Sequence, residues 1–371
     1  MSRLEERINP GLLGIKPYVP GKSVREARRE LAGLAFTKMA SNENPLGVSP
    51  KASQAVLEAL RESYQYPEST SRELRLALAG RLGVGPENIL VGNGADGILY
   101  TLGITLLNEG DEAIIPECTF ALYEIVTRFM RARPVFSAMR RYGIDLEDIR
   151  RRITSRTKLI FLCNPNNPTG TLLPREEVLP FLEEVPAGIF VVYDEVYADF
   201  AAAELFPSGI ELVRRGKSNL LVARSFSKLY GLAGIRVGYG VAAEELIRLM
   251  ARVHQPFEVS LLAQAAALAA LEDAEFCRRT LELTRRGKDF FYRRLKALGL
   301  GFVESHTNFI LIDTGRDSGQ AFAELLREGI IVRAGYGGPL ARFIRVTIGT
   351  EEQNRRVLEA LEGIATRKAG P

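Results

Sequence analysis

Lys228 sits in the run Arg224-Ser225-Phe226-Ser227-Lys228-Leu229-Tyr230-Gly231-Leu232-Ala233-Gly234-Ile235-Arg236. A strand-like stretch, Leu220 to Ala223, delivers a lysine beside hydroxyl residues, and glycines and an arginine follow it. That grouping suits a Schiff-base lysine next to a bound phosphate, and pyridoxal phosphate (PLP) is the expected cofactor. A single lysine after two serines is ordinarily a solvated surface residue. The expectation therefore depends on what else the chain carries.

Three further groupings hold compatible chemistry. Gly92-Asn93-Gly94-Ala95-Asp96-Gly97 matches the dinucleotide fingerprint and stands between a strand pattern and a helix pattern. Physically, its glycines let backbone amides approach a phosphate at a helix start, which a PLP phosphate needs equally. A dinucleotide fold puts the motif on its first strand, with an acid closing a second strand about 20 residues on. Here Gly110-Asp111-Glu112-Ala113 sets its acids before the next strand. Asp96 also suits a helix-start residue with no ligand.

Asn164-Pro165-Asn166-Asn167-Pro168-Thr169-Gly170 follows the apolar run Leu159 to Cys163. Two X-Pro steps and a closing glycine fix a tight loop at a strand end, and Asn167 is the expected donor to a cofactor oxygen. Val191-Val192-Tyr193-Asp194-Glu195-Val196-Tyr197 ends an apolar strand on an aspartate. A buried carboxylate is costly unless paired or solvated. A protonated pyridine nitrogen is such a partner, and PLP needs that proton to act as an electron sink; a cap on the next helix is the alternative role. Tyr197, three residues on, points to the same side and suits the phenolic oxygen of the ring.

Other chemistries find little to work with. Two histidines, His254 and His306, exclude zinc sites and triads built on several histidines. Gly21-Lys22-Ser23 resembles the end of a phosphate-binding loop, but the glycine required five residues earlier is Lys16. Cys118, Cys163 and Cys277 are far apart, which suits a reducing compartment rather than a disulfide framework. The net charge of +4 is small for 371 residues, and arginine clusters such as Arg150-Arg151-Arg152 alternate with acids. They read as solvated helix faces, with no nucleic-acid footprint. Met1 to Arg7 alternates charge without the apolar core of a signal peptide, and Leu261 to Leu271 is too short to span a bilayer. A soluble, cytoplasmic protein without a metal site is expected.

These residues need a frame that gathers them. With 46% hydrophobic residues the chain can bury a large core and form two domains. Apolar runs at 89–91, 112–115, 134–137, 159–163, 189–193, 220–223 and 237–241 alternate with helical patterns. That is the signature of an α/β fold with a mostly parallel central sheet covered by helices, and ligands bind at the carboxyl ends of such strands. Past residue 256, helical patterns over 261–298 lead to strand candidates at 308–312, 330–332 and 343–346, consistent with a smaller α/β domain. Pro10, Pro17 and Pro20 make the start of the chain an arm before a helix over 24–34.

Taken together the chain resembles the PLP-dependent aminotransferases of fold type I along nearly its whole length. Further cues are Lys16-Pro17-Tyr18-Val19-Pro20-Gly21-Lys22, Ser41-Asn42-Glu43-Asn44-Pro45-Leu46-Gly47, Tyr66-Pro67-Glu68 and Arg345-Val346-Thr347-Ile348-Gly349-Thr350. The resemblance implies an arm at 1–40, a large PLP-binding domain at 41–258 and a small domain at 259–371. It implies that Lys228 carries the cofactor and shuttles the substrate proton, with Asp194 on the pyridine nitrogen and Asn167 and Tyr197 on the phenolic oxygen. Phe120 would stack on the ring. Ala95, Asp96, Ser225, Ser227 and Arg236 would surround the phosphate, and Tyr66 would reach it from the partner subunit of a homodimer. Arg345 would receive the substrate carboxylate, while Arg333 and Tyr18 would take a substrate phosphate. Gly97, where many relatives have an acid, and Phe120, where many have tyrosine, depart from the pattern.

The arm and Gly231-Leu232-Ala233-Gly234 cues point to a branch that exchanges amino and keto groups between histidinol phosphate and 2-oxoglutarate by a two-step route. Aromatic amino-acid transamination and phosphothreonine decarboxylation use the same scaffold. A nicotinamide-dependent oxidoreductase rests on Gly92 to Gly97 alone.

Overall fold

The computed structural model describes residues 5, 7–31 and 33–366. Parts of the expected arm (1–4, 6 and 32) and the end of the expected small domain (367–371) lie outside them. Strand β1 (Thr37–Lys38) comes first, ahead of the central sheet. That sheet comprises β2 (Ile89–Gly92), β3 (Glu112–Pro116) and β4 (Arg133–Ser137), then, after a separate hairpin of β5 (Met139–Arg140) and β6 (Gly143–Ile144), β7 (Thr157–Cys163), β8 (Phe190–Asp194), β9 (Leu220–Ser225) and β10 (Gly238–Ala242). The order is β2-β10-β9-β8-β7-β3-β4, and only β10 runs antiparallel to its neighbours. The expected runs differ from these strands by one or two residues at their ends.

The runs are continuously apolar because both faces of the sheet are covered. Along β7, Ile160 and Leu162 join the core on one face, while Leu159, Phe161 and Cys163 join the core on the other. In β8, Val191 and Tyr193 face the first core and Val192 the second. This alternation decides which strand-end side chains meet.

A second layer follows. Strands β11 (Gly301–Val303), β12 (Phe309–Asp313) and β14 (Phe343–Thr347) form an antiparallel sheet, and β13 (Ile330–Ile331) pairs in parallel with β1. Phe291 and Leu295 of the helix Ala274–Ala297 pack on it with Val357 and Leu361 of the helix Glu351–Thr366. Met39 continues β1: its N–H donates to Ile331 O, and its carbonyl accepts from Thr347 N. The start of the chain is thus threaded between two late strands.

Two helical expectations change. The pattern over 261–298 is two helices, Leu261–Leu271 and Ala274–Ala297. Asp273 divides them, its carboxylate capping the second through Phe276 N and accepting from Ser49 Oγ at 2.6 Å. The helix expected over 24–34 spans Val24–Glu30, begun by a Ser23–Glu26 capping box; Gly33, at φ 85°, has left helical geometry. Ser23 is therefore a cap, and Lys22 pairs with Glu30. No helix among the described residues is long and apolar enough to cross a membrane.

Candidate active site

The carboxyl ends of β7, β8 and β9 lie in one row, with Cys163 opposite Asp194 and Asp194 opposite Ala223. Beside them Ser225, Gly238 and Gly92 form the adjoining row across β9, β10 and β2. One cleft lies over these ends, and every predicted site residue except Tyr66 lines it.

At one end is an anion cradle. The helix Gly94–Leu106 begins there with no side chain capping it, so its first amides, including those of Ala95 and Asp96, point outward. Glycine is required for the close approach: a Cβ on Gly238 would stand 2.5 Å from Ala95 N, and one on Gly94, at φ 71°, 2.5 Å from Arg236 Nη2. Ser225 Oγ donates to Ser227 Oγ at 3.0 Å, and Arg236 Nη2 donates to Asp96 Oδ2 at 3.0 Å. Two hydroxyls, a helix start and a guanidinium converge. Asp96 adds a carboxylate that repels an anion, so its N–H is the useful group and its side chain holds Arg236.

At the other end lies Asp194, buried with only neutral hydrogen-bond donors. Tyr123 OH donates to Oδ2 at 2.6 Å and Val196 N to Oδ1 at 3.0 Å. That second bond closes a local turn and not a helix cap: the short 3-10 turn Ala198–Phe200 is entered from Tyr197, with no side chain capping it. Burial pushes the Asp194 carboxyl up to about 6, against the opposing pull of Tyr123. A cation placed beside it would restore its charge.

Lys228 lies between these ends, its Nζ 3.2 Å from Ser41 O. Burial first, then the Arg345 charge, lowers its pKa to about 8. A neutral amine is therefore far more available near neutrality than on an exposed lysine. Tyr197 OH accepts from Asn42 Nδ2 at 2.8 Å, and burial raises its pKa, leaving the phenol proton in place.

The asparagine loop sorts its three amides by task. Asn164 accepts from Leu173 N and donates to Tyr193 OH, while Asn166 accepts from Thr119 and donates to Cys118 O and Thr169. Both brace the loop. Asn167 faces the cleft, its Oδ1 taken by Arg345 Nη1, which turns its NH2 toward the opening. Arg345 also donates from Nη2 to Ala40 O at 2.7 Å, and its Nε is buried without a protein partner. Arg333, in an isolated bridge with Arg345, lies over the Tyr18 ring at 5.9 Å, and Tyr18 meets Phe120 edge-on at 6.5 Å. Two guanidinium groups thus stand at one side of the cleft.

Tyr66 is the residue not brought in. It is 82% exposed and stacks on Phe257 at 4.7 Å. Two contributors escaped the sequence reading. Tyr123 stands in the first turn of the helix Leu122–Phe129, its ring edge-on to that of Phe120 just before the helix, and Asn42 lies in a run singled out only for its resemblance.

The cleft thus offers anion-binding groups at one end and a buried carboxyl at the other. Comparison with known proteins gives the family. The family model for aminotransferase class I and II matches residues 35–361. A histidinol-phosphate aminotransferase of Moorella thermoacetica is 46% identical over 95% of this chain and 92% of its own length. Among solved structures, the histidinol-phosphate aminotransferase of Sinorhizobium meliloti in complex with pyridoxal-5'-phosphate superposes with a TM-score of 0.90, at 26% identity over 98% of each chain. A Thermus thermophilus aspartate aminotransferase double mutant gives 0.82, at 27% identity over 96% of this chain and 99% of that one. With lysine, aspartate and anion cradle gathered at the strand ends and the family model covering most of its length, the chain belongs to the class I and II aminotransferases.

Proposed function

We propose that the chain binds PLP and exchanges the amino group of histidinol phosphate for the keto group of 2-oxoglutarate, giving imidazole acetol phosphate and glutamate in histidine biosynthesis. The observation that carries this reading is one cleft holding a buried lysine, a buried aspartate and two arginines. The names of the most similar relatives support the substrate pair. The dinucleotide reading has less in its favour, since β2 is an edge strand of the sheet.

The residues fit the cofactor. An uncapped helix start with Ser225, Ser227 and Arg236 suits its phosphate, and an ionised Asp194 suits a protonated pyridine nitrogen. When bound, PLP supplies an aldehyde that takes up amino groups and a ring that accepts an electron pair. The protein's part is placement and proton handling. Asp194 would keep the ring nitrogen protonated, Phe120 would lie against the ring, and Asn167 and Tyr197 would donate to the phenolic oxygen. Lys228 Nζ would hold the cofactor, and its lowered pKa would suit it to carry a proton at the substrate α carbon. Arg345 would bind the α-carboxylate from the wall of the cleft, while Arg333 and Tyr18 would hold the distal phosphate. Planar guanidinium groups suit both anions, which allows two different acids to use one pocket in turn.

Arg333 and Arg345 come from the part of the chain read as a small domain (259–371), and Lys228 and Asp194 from the large domain (41–258). We also infer a cytoplasmic homodimer in which Tyr66 reaches the partner's phosphate cradle. The decisive measurement compares turnover of histidinol phosphate and phenylalanine with 2-oxoglutarate as acceptor. Preference for histidinol phosphate is expected; a strong preference for phenylalanine overturns the substrate assignment.

A further inference from the structure

Directly behind the cleft, on the opposite face of the sheet, lies a buried ion pair. Glu195 Oε2 accepts from Arg224 Nε at 2.8 Å and Nη2 at 2.6 Å, and Glu195 Oε1 accepts from Gly209 N at 2.6 Å. The Glu195 side chain is 0% exposed and that of Arg224 19%. Burial opposes both charges, and the Glu195 carboxylate holds Arg224 firmly protonated.

The positions of the pair in sequence give it meaning. Glu195 follows Asp194, and Arg224 precedes Ser225. Side chains alternate across a strand, so fixing Glu195 and Arg224 behind the sheet fixes Asp194 and Ser225 in front of it. The strands are joined at this level by Glu195 N donating to Ala223 O at 2.8 Å.

We propose that Glu195 and Arg224 are positioning residues whose ion pair sets the separation between Asp194 and Ser225, and so matches the cleft to a ligand that must reach both. The inference rests on the PLP reading, in which Asp194 meets the ring nitrogen and Ser225 the phosphate. Inorganic phosphate needs only the cradle, whereas PLP spans both anchors; an error in their separation is felt by PLP alone.

Glu195→Gln is the variant of choice. It keeps the shape, and Arg224 retains the nearby Asp199 carboxylate and a cavity of about 230 Å³ beside it, room enough for water. The expected result is PLP affinity weakened about tenfold to a hundredfold, with inorganic phosphate affinity, followed by phosphorus NMR, within about twofold of the parent. Arg224→Lys, which keeps the charge but loses the two-pronged donor, is expected to do the same and serves if Glu195→Gln fails to fold. Parallel weakening of both ligands, or no change in either, overturns the positioning role while leaving PLP binding intact. A parent chain that binds phosphate but no PLP overturns both readings.

Discussion

Asp194 serves the site at the expense of the fold. Burial pushes its carboxyl up to about 6, from the ordinary 3.8. A raised acid contributes favourably below its unfolded pKa, and that contribution is lost as pH rises through the folded value. Above pH 6 the cofactor-free chain therefore carries a cost of two pKa units, about 3 kcal/mol at about 1.4 each. Asp194→Asn is expected to stabilise the cofactor-free protein by up to that amount at pH 8 and not at pH 3, in denaturant unfolding, while nearly abolishing transamination. Tyr123→Phe acts in the other direction. Without its donor the Asp194 carboxyl rises further, so PLP affinity is expected to fall about tenfold, more at pH 6 than at pH 8; a pH-independent loss would count against the Tyr123 role. The sequence made Asp194 legible because an acid ending an apolar strand needs a reason. It left Tyr123 obscure, because a tyrosine on a helix face reads as core until its hydroxyl is seen to meet the acid.

Elements place these residues by close backbone contact. β10 passes so near the start of the helix Gly94–Leu106 that a Cβ on Gly238 would meet Ala95 N at 2.5 Å, Gly94 C at 2.6 Å and Arg224 O at 2.9 Å. All three are backbone atoms, which cannot rotate aside. Gly238→Ala is expected to cost about 1–3 kcal/mol and to loosen the phosphate cradle, so that PLP dissociates faster while the far-ultraviolet circular dichroism is retained. Unchanged PLP retention would show that the strand does not set the cradle. The central strands were legible because burial on both faces leaves continuous apolar runs. Strands β1, of two residues, and β11, of three, were not, since their pairing with distant partners, not local pattern, makes them strands. The division of the pattern at Asp273 was likewise hidden, because the cap is recognised through its bond to Ser49 from a remote helix start.

Over the whole molecule, the short segment 57–66 exposes Leu57, Leu60, Tyr64 and Tyr66, more apolar surface than single scattered residues account for. Covering by a second copy would bring Tyr66 to the partner's cleft, and mixing variants tests this. A Lys228→Ala chain and a Tyr66→Ala chain, each weakly active alone, should regain up to about one intact site in four when refolded together, since each mixed dimer rebuilds one complete site. No recovery would argue that each cleft is self-sufficient. The threaded segment after β1 has another consequence. Ala40 O holds Arg345, Ser41 O receives Lys228, and Asn42 joins Tyr197 to Thr347 and, through its carbonyl, Asn308. The segment 40–42 thus meets partners up to 305 residues away, and the last of them, Arg345 and Thr347, belong to strand β14. A chain cut before Phe343 would contain Lys228, Asp194 and the anion cradle, and yet lack both Arg345 and the Thr347 hydroxyl that holds Asn42, so the cleft is completed only across the full span of the fold.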